Sequence, residues 1–189
     1  MNNKDITAVI TSFKSENKIV ACIKSLGREI EIIIIENSND KKLKNKLEGK
    51  YSNLKCILSE QNLGYAKGNN LGLSLVKTKY ALIINPDATV QSNTIENFIQ
   101  TAKLKQDFAI IAPFVQEKNQ NNLKGFRDGI TEVKNVKGFA MFLNLEQFRN
   151  IGFFDENFFI YFEEIDLCKR LIQNKKKIFL DTNIIISHA

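Results

Sequence analysis

Proline is almost missing from this chain and glycine is sparse, with 2 and 9 residues among 189, which excludes collagenous, mucin-like and linker-rich architectures. Long apolar runs are missing too. Stretches such as 139–143 and 158–162 stop at five residues, far below the ~18 that a membrane-spanning helix needs. The opening MNNKDITAVITSF has Asp5 and a strand-like run, without the basic start and the apolar core of about 7–15 residues that mark a secretion signal, so a cytoplasmic location is expected. Histidine occurs once, as His188. The cysteines, Cys22, Cys56 and Cys168, are three, widely spaced and free of any C-x-x-C pair, so neither a disulfide framework nor a zinc site is expected of them.

What is present is ordinary globular composition, 43% hydrophobic and 25% charged, in a length that suits one domain with one sizeable core. The net charge of +6 would suit a phosphorylated ligand or an anionic surface. The lysines are scattered, however, and their clusters at 41–46 and 175–177 sit beside expected helices or turns as solvated faces do. No recognition helix, zinc-finger spacing or aromatic RNA motif accompanies them, so no nucleic-acid partner is expected.

Short β-branched runs at 6–11, 30–35, 55–58 and 80–84 alternate with polar helix-length segments at 17–26, 41–50 and 68–76. That βαβαβαβ order predicts an α/β fold with a mostly parallel sheet and crossover helices on its faces. A helix over 92–105 and a strand over 108–112 follow. Residues 116–129, rich in Asn with two glycines, read as a loop or irregular hairpin. A strand at 136–143, a short helix at 146–151, an amphipathic helix at 163–173 and short strands at 178–180 and 184–187 complete the expected set. In such sheets ligands bind beyond the carboxyl ends of the strands, so the residues that follow each strand are the first candidates.

Thr11-Ser12-Phe13 follows the first strand, and Glu36-Asn37-Ser38-Asn39-Asp40 the second. Carboxylate and amide groups there can read a nucleobase edge while Phe13 offers a stacking face, although Asn and Asp are also ordinary turn formers. The segment NLGYAKGNN, Asn62 to Asn70, opens a helix, and its glycines, Gly64 and Gly68, let backbone approach a ligand, but their spacing is not the dinucleotide fingerprint. Pro86 must end the fourth strand, which leaves Asp87 of Asn85-Pro86-Asp87 at the carboxyl edge. There it could hold Mg²⁺ or Mn²⁺ or form a plain turn. Glu163-Glu164-Ile165-Asp166 follows an aromatic run, and its carboxylates suit either a helix start or a general base raised by crowding.

The ordered set TSF, ENSND, NLGYAKGNN, NPD, GFFDENFFIYFEEIDLCKRL and SHA resembles family 2 glycosyltransferases of GT-A fold, especially the bacterial rhamnosyltransferase-like branch, over nearly the whole chain. The resemblance implies one GT-A domain, with a Rossmann-like donor half at 1–112 and a small acceptor and catalytic-base half at 113–189. Thr11, Phe13 and Glu36 look like base contacts, and Asn62, Gly64, Lys67, Asn69 and Asn70 match the segment that lines the donor. Asn85 and Asp87 stand at the D-x-D metal motif, with Asn85 in place of the first Asp, and His188 matches a late histidine that helps to complete the metal site. Asp155, Glu156 and Glu163 match the acceptor and sugar side, and Glu164 falls on the catalytic base, commonly Asp. What this implies is inverting, Mn²⁺- or Mg²⁺-dependent transfer of a hexosyl or rhamnosyl group from a UDP- or dTDP-sugar to a glycan or lipid-linked hydroxyl. The setting would be bacterial surface polysaccharide synthesis, at the inner face of the cell membrane. A second reading is a non-catalytic nucleotide-sugar-binding subunit or degenerate homologue. Relatives continue past the late histidine, so a chain ending at Ala189 is expected to be truncated or to be completed by a partner.

Overall fold

A computed structural model describes residues 1–115 and 129–188, so the loop or irregular hairpin expected at 116–129 lies, apart from Gly129, outside the described residues. The first half alternates as expected: β1 (Ile6–Ser12), α1 (Glu16–Leu26), β2 (Glu31–Glu36), α2 (Lys41–Lys50), β3 (Leu54–Leu58), α3 (Gly64–Ser74) and β4 (Tyr80–Ile84). Then come β5 (Ala88–Val90), α4 (Thr94–Leu104), β6 (Phe108–Val115), β7 (Ile130–Glu132), β8 (Ala140–Asn144), α5 (Glu163–Gln173) and β9 (Lys177–His188).

The described strands form one sheet in the order β3-β2-β1-β4-β8-β6-β9-β5, with β7 added against β9. The first four strands are mutually parallel, as the helices that connect them allow, and β6 runs parallel to β9. Strand β8 is antiparallel to both of its neighbours, so it starts at the edge where β4 ends: Ile84 faces Ala140.

Alternation along each strand divides the core between two faces. Ile6, Ala8 and Ile10 of β1 and Leu82 and Ile84 of β4 pack with Ile19, Cys22, Ile23, Leu43, Leu47 and Phe98 from α1, α2 and α4. Val9, Ala81 and Ile83 turn the other way, onto Ala66 and Leu73 of α3 and Leu167, Cys168 and Leu171 of α5. Helices therefore cover both faces. Phe142, fully buried, stacks against Tyr80, Phe98 and Phe108 at centroid distances of 5.6, 5.0 and 5.7 Å, tying β8 to β4, β6 and α4.

Several boundaries depart from the expected ones. Helix α3 begins at Gly64, four residues before the expected start, because Asn62 Oδ1 accepts the Gly64 N–H at 3.0 Å and satisfies a donor that the helix start leaves open. Strand β8 begins at Ala140 and not at 136. Gly138 and Phe139 spend their carbonyls on Tyr65 and Asn85 in place of a ladder. The two closing strands are one twelve-residue strand, since the polar interruption stays extended. Buried Asp181 there receives the Thr101 hydroxyl and the Asn183 N–H. Strands β5 and β7 were not expected, being three residues each. The short helix expected at 146–151 is a 3-10 turn at Leu145–Phe148.

Candidate active site

Strands β1, β2, β3 and β4 end at one edge, and a cleft of about 450 Å³ opens there. Of the expected residues, Thr11, Phe13, Asn62, Gly64, Asn85 and Asp87 line it. Phe13, just past the end of β1, is 45% exposed, with Lys14 Nζ over its ring at 5.3 Å from the centroid. Thr11 Oγ1 is buried without a hydrogen-bond partner. It packs against α3, where a Cβ on Gly68 would meet it at 3.0 Å, and a buried hydroxyl without a partner costs stability.

The NPD segment is a turn. Asn85 N–H donates to Phe139 O at 2.8 Å, and the Ala88 N–H returns to Asn85 O at 3.1 Å. The turn presents Asp87, and the β5–β9 pairing, with Ala88 opposite His188, carries the far end of the chain to it. His188 Nε2 lies 3.3 Å from Asp87 Oδ1, while its ring leans on Phe139 at 4.9 Å. Lys18 Nζ approaches the other oxygen, Oδ2, at 3.5 Å. Cys22 lies behind the turn with its Sγ 3.5 Å from Asn85 O, and burial, helped by Asp87, pushes its thiol up to about 12.

Among the described residues no group of three or more His, Cys, Asp or Glu gathers as a metal cage. The Asp87–His188 pair nonetheless fits a hard divalent cation that takes its remaining ligands from a diphosphate and water, since Mg²⁺-type sites commonly offer only one or two carboxylates.

Glu36 ends β2 buried, and its carboxylate turns back to accept the Ser38 N–H at 2.8 Å. Ser38 Oγ in turn accepts the Lys14 N–H at 2.6 Å. Asn37, the next residue, reaches the lining instead. It donates from Nδ2 to Gly64 O at 3.2 Å and accepts the Ser59 hydroxyl at 3.0 Å. Lys67, Asn69 and Asn70 of α3 stand outside the lining. Lys67 is exposed to solvent, and buried Asn69 donates back to Tyr65 O at 3.0 Å. Asn70 grips the main chain of Phe154 with both amide atoms, at 2.9 and 3.1 Å, and also reaches Glu156 at 3.1 Å. It thus anchors the GFFDENFF segment, in which Asp155 caps its own turn by accepting the Asn157 N–H at 2.9 Å.

That segment leads into an exposed strap over the start of α3. Tyr65 N–H donates to Phe159 O at 2.9 Å, and Phe159 and Ile160 form part of the cleft wall. Tyr161 and Phe162 both hold φ of +70° and are 71% and 65% exposed before α5 begins.

Glu163 and Glu164 open α5 behind Tyr65, whose hydroxyl donates to Gly138 O and whose ionisation is pushed up by burial and then by both glutamates. The Cβ and Cγ of Glu164 lie 3.5 and 3.6 Å from where a Cβ on Gly138 would sit. Because Phe139, the next residue, carries the contacts to Asn85 and His188, Glu164 belongs to the same edge as Asp87, beside the cleft lining and not within it. Glu163 is 5% exposed, its Oε2 has no partner, and its acidity is weakened by burial and by the neighbouring Glu164.

Sequence reasoning passed over Lys14, Lys18, Asn37 and Tyr65, which also line the cleft. Asn37 and Tyr65 lay inside the motifs already singled out, whereas no pattern distinguishes the two lysines from the others.

A twisted, largely parallel sheet with its site at the carboxyl edge of β1–β4 defines a GT-A glycosyltransferase fold. Two solved structures agree in fold. GalNAc-T7 with UDP, GalNAc and Mn²⁺ superposes with a TM-score of 0.82 at 15% identity, over 99% of this chain and 44% of that one. The mannosyltransferase PcManGT of Pyrobaculum calidifontis, with GDP-Man and Mn²⁺, gives 0.81 at 10% identity, over 100% and 58%.

The chain belongs to glycosyl transferase family 2, whose model matches residues 7–168. It is similar to the low-salt glycan biosynthesis hexosyltransferase Agl10 of Haloferax volcanii, 25% identical over 88% of this chain and 61% of that protein. The rhamnosyltransferase WbbL of Escherichia coli is also 25% identical, over 86% of this chain and 75% of its own length. The chain therefore spans about three-fifths of Agl10 and three-quarters of WbbL.

Proposed function

We propose that this glycosyltransferase inverts the anomeric carbon while moving a hexosyl or rhamnosyl group from a UDP- or dTDP-sugar to a glycan or lipid-linked hydroxyl in surface polysaccharide synthesis. The observation that carries the reading is the Asp87–His188 pair, brought to 3.3 Å beside a cleft whose wall includes the aromatic ring of Phe13. The donor-binding half would be 1–112 and the acceptor half 113–189. The exposed strap, with Phe159, Ile160, Tyr161 and Phe162 all more than half exposed, supports an acceptor with an apolar portion at the inner membrane face.

Asp87 and His188 would hold Mn²⁺ or Mg²⁺, which when bound supplies positive charge to the departing diphosphate. Phe13 offers its ring to the base, with Thr11 in the lining beside it. Glu164 accepts the proton of the acceptor hydroxyl as that oxygen attacks the anomeric carbon. The bond to the diphosphate oxygen breaks on the opposite side, and the nucleoside diphosphate leaves with the bonding pair.

The test is Glu164→Gln. Losing a general base should lower transfer by about 10²–10⁴-fold, while UDP affinity measured by calorimetry stays within about twofold, because Glu164 lies off the cleft wall. Wild-type turnover in that variant would remove Glu164 from the role.

A further inference from the structure

The cleft already holds a cation of its own at the carboxylate that would recruit one. Lys18, the third residue of α1, reaches Asp87 Oδ2 at 3.5 Å while His188 takes Oδ1 at 3.3 Å. Lys14 lines the same wall, and with asparagine at position 85 Asp87 is the sole carboxylate of the lining among the described residues. The ionisable cleft therefore offers two ammonium groups against one carboxylate, a surplus suited to an anion.

We infer that Lys18 is an internal counter-ion of Asp87, which competes with the divalent cation for that carboxylate and transfers to the donor's diphosphate when the donor binds. The inference rests on the donor reading above and adds a residue to it. The Lys18 and Asp87 side chains are 56% and 24% exposed, so their pair is weak and breaks cheaply. The lysine stem is long and freely rotating, and a diphosphate outbids a single carboxylate for its ammonium group. A divalent cation that arrives alone meets the ammonium group as a like charge. A diphosphate that arrives alone finds in it a ready partner. Lys18 thus acts with opposite sign on the two ligands, which a purely structural residue would not do.

The test uses the full chain with Lys18→Met, which keeps length and removes charge, and Lys18→Arg, which keeps charge. Calorimetry follows UDP and inorganic pyrophosphate in EDTA, then UDP with Mn²⁺, and electron paramagnetic resonance follows Mn²⁺ alone. In Lys18→Met, binding of UDP and pyrophosphate in EDTA should weaken about tenfold, and Mn²⁺ alone should bind about two- to fivefold tighter. The gain in UDP affinity on adding Mn²⁺ should rise accordingly, since the two ligands are linked. Lys18→Arg should stay within about twofold of the wild type for UDP in EDTA. A Lys18→Met protein whose two ligands shift in the same direction, or not at all, overturns the inference while leaving donor binding intact. A wild type that binds no UDP in any of these conditions overturns the donor reading and this inference with it.

Discussion

Replacing Gly64 by alanine would put a methyl carbon into occupied space. The backbone there holds φ of +72°, and an added Cβ would sit 2.4 Å from Phe159 O and 2.8 Å from a ring carbon of the same residue. A left-handed conformation costs a residue with a Cβ about 1–2 kcal/mol. The carbonyl is backbone and cannot rotate aside, so the strap must lift, breaking the 2.9 Å bond from Tyr65 N–H to Phe159 O at a further cost of about 1 kcal/mol. The sum, about 2–3 kcal/mol, corresponds to a fall in Tm of about 4–12 °C for a chain of this size. Lifting Phe159 also opens one wall of the cleft, so UDP should bind more weakly. The matched control is Gly49→Ala in α2, where an added Cβ meets nothing within 4 Å. It should gain about 0.5–1 kcal/mol from helix propensity. Thermal melts of both variants check the reasoning, and it is refuted if Gly64→Ala melts at or above the wild type, or if the two variants shift alike.

Two further outcomes follow from buried groups. Burial weakens Glu163 as an acid, so the folded protein holds that proton more tightly than the unfolded chain and loses stability as pH rises from the unfolded value through the folded one. Glu163→Gln should therefore match the wild type near pH 4 and exceed it by about 1 kcal/mol at pH 7.5 in urea unfolding, the cost of a partnerless buried oxygen. A difference independent of pH would contradict this. Burial pushes the thiols of Cys22 and Cys56 up to about 12 and that of Cys168 to about 11, so all three should resist iodoacetamide at pH 8 until urea is added. Labelling of the native chain at the rate of a free thiol would refute that.

The parallel half was legible because its strands are short runs rich in Ile, Val and Leu between polar helices, and α5 because Leu167, Cys168 and Leu171 recur at helical spacing. The antiparallel insertion of β8 left no such trace, since an apolar strand reads alike in either direction. The site was legible where a motif sits next to a strand end, as at Thr11, Phe13 and Asp87. The proximity of His188 to Asp87 came only from family resemblance, because it depends on the register of β5 against β9. Asn70 lay in a motif yet grips Phe154, 84 positions away, and Glu36 spends its carboxylate on the next turn. Neither choice is visible in composition or spacing, for each is settled by which backbone group the fold leaves unpaired.

The pairing of β5 with the final residues of β9 also sets a timetable. Strands β1–β4 can assemble through neighbouring crossovers, whereas the imidazole reaches its carboxylate only after a loop of roughly a hundred residues has closed. A partly folded chain could thus possess its aromatic wall and the NPD turn while lacking the Asp87–His188 pair, so that the proposed cation site is completed last and all at once.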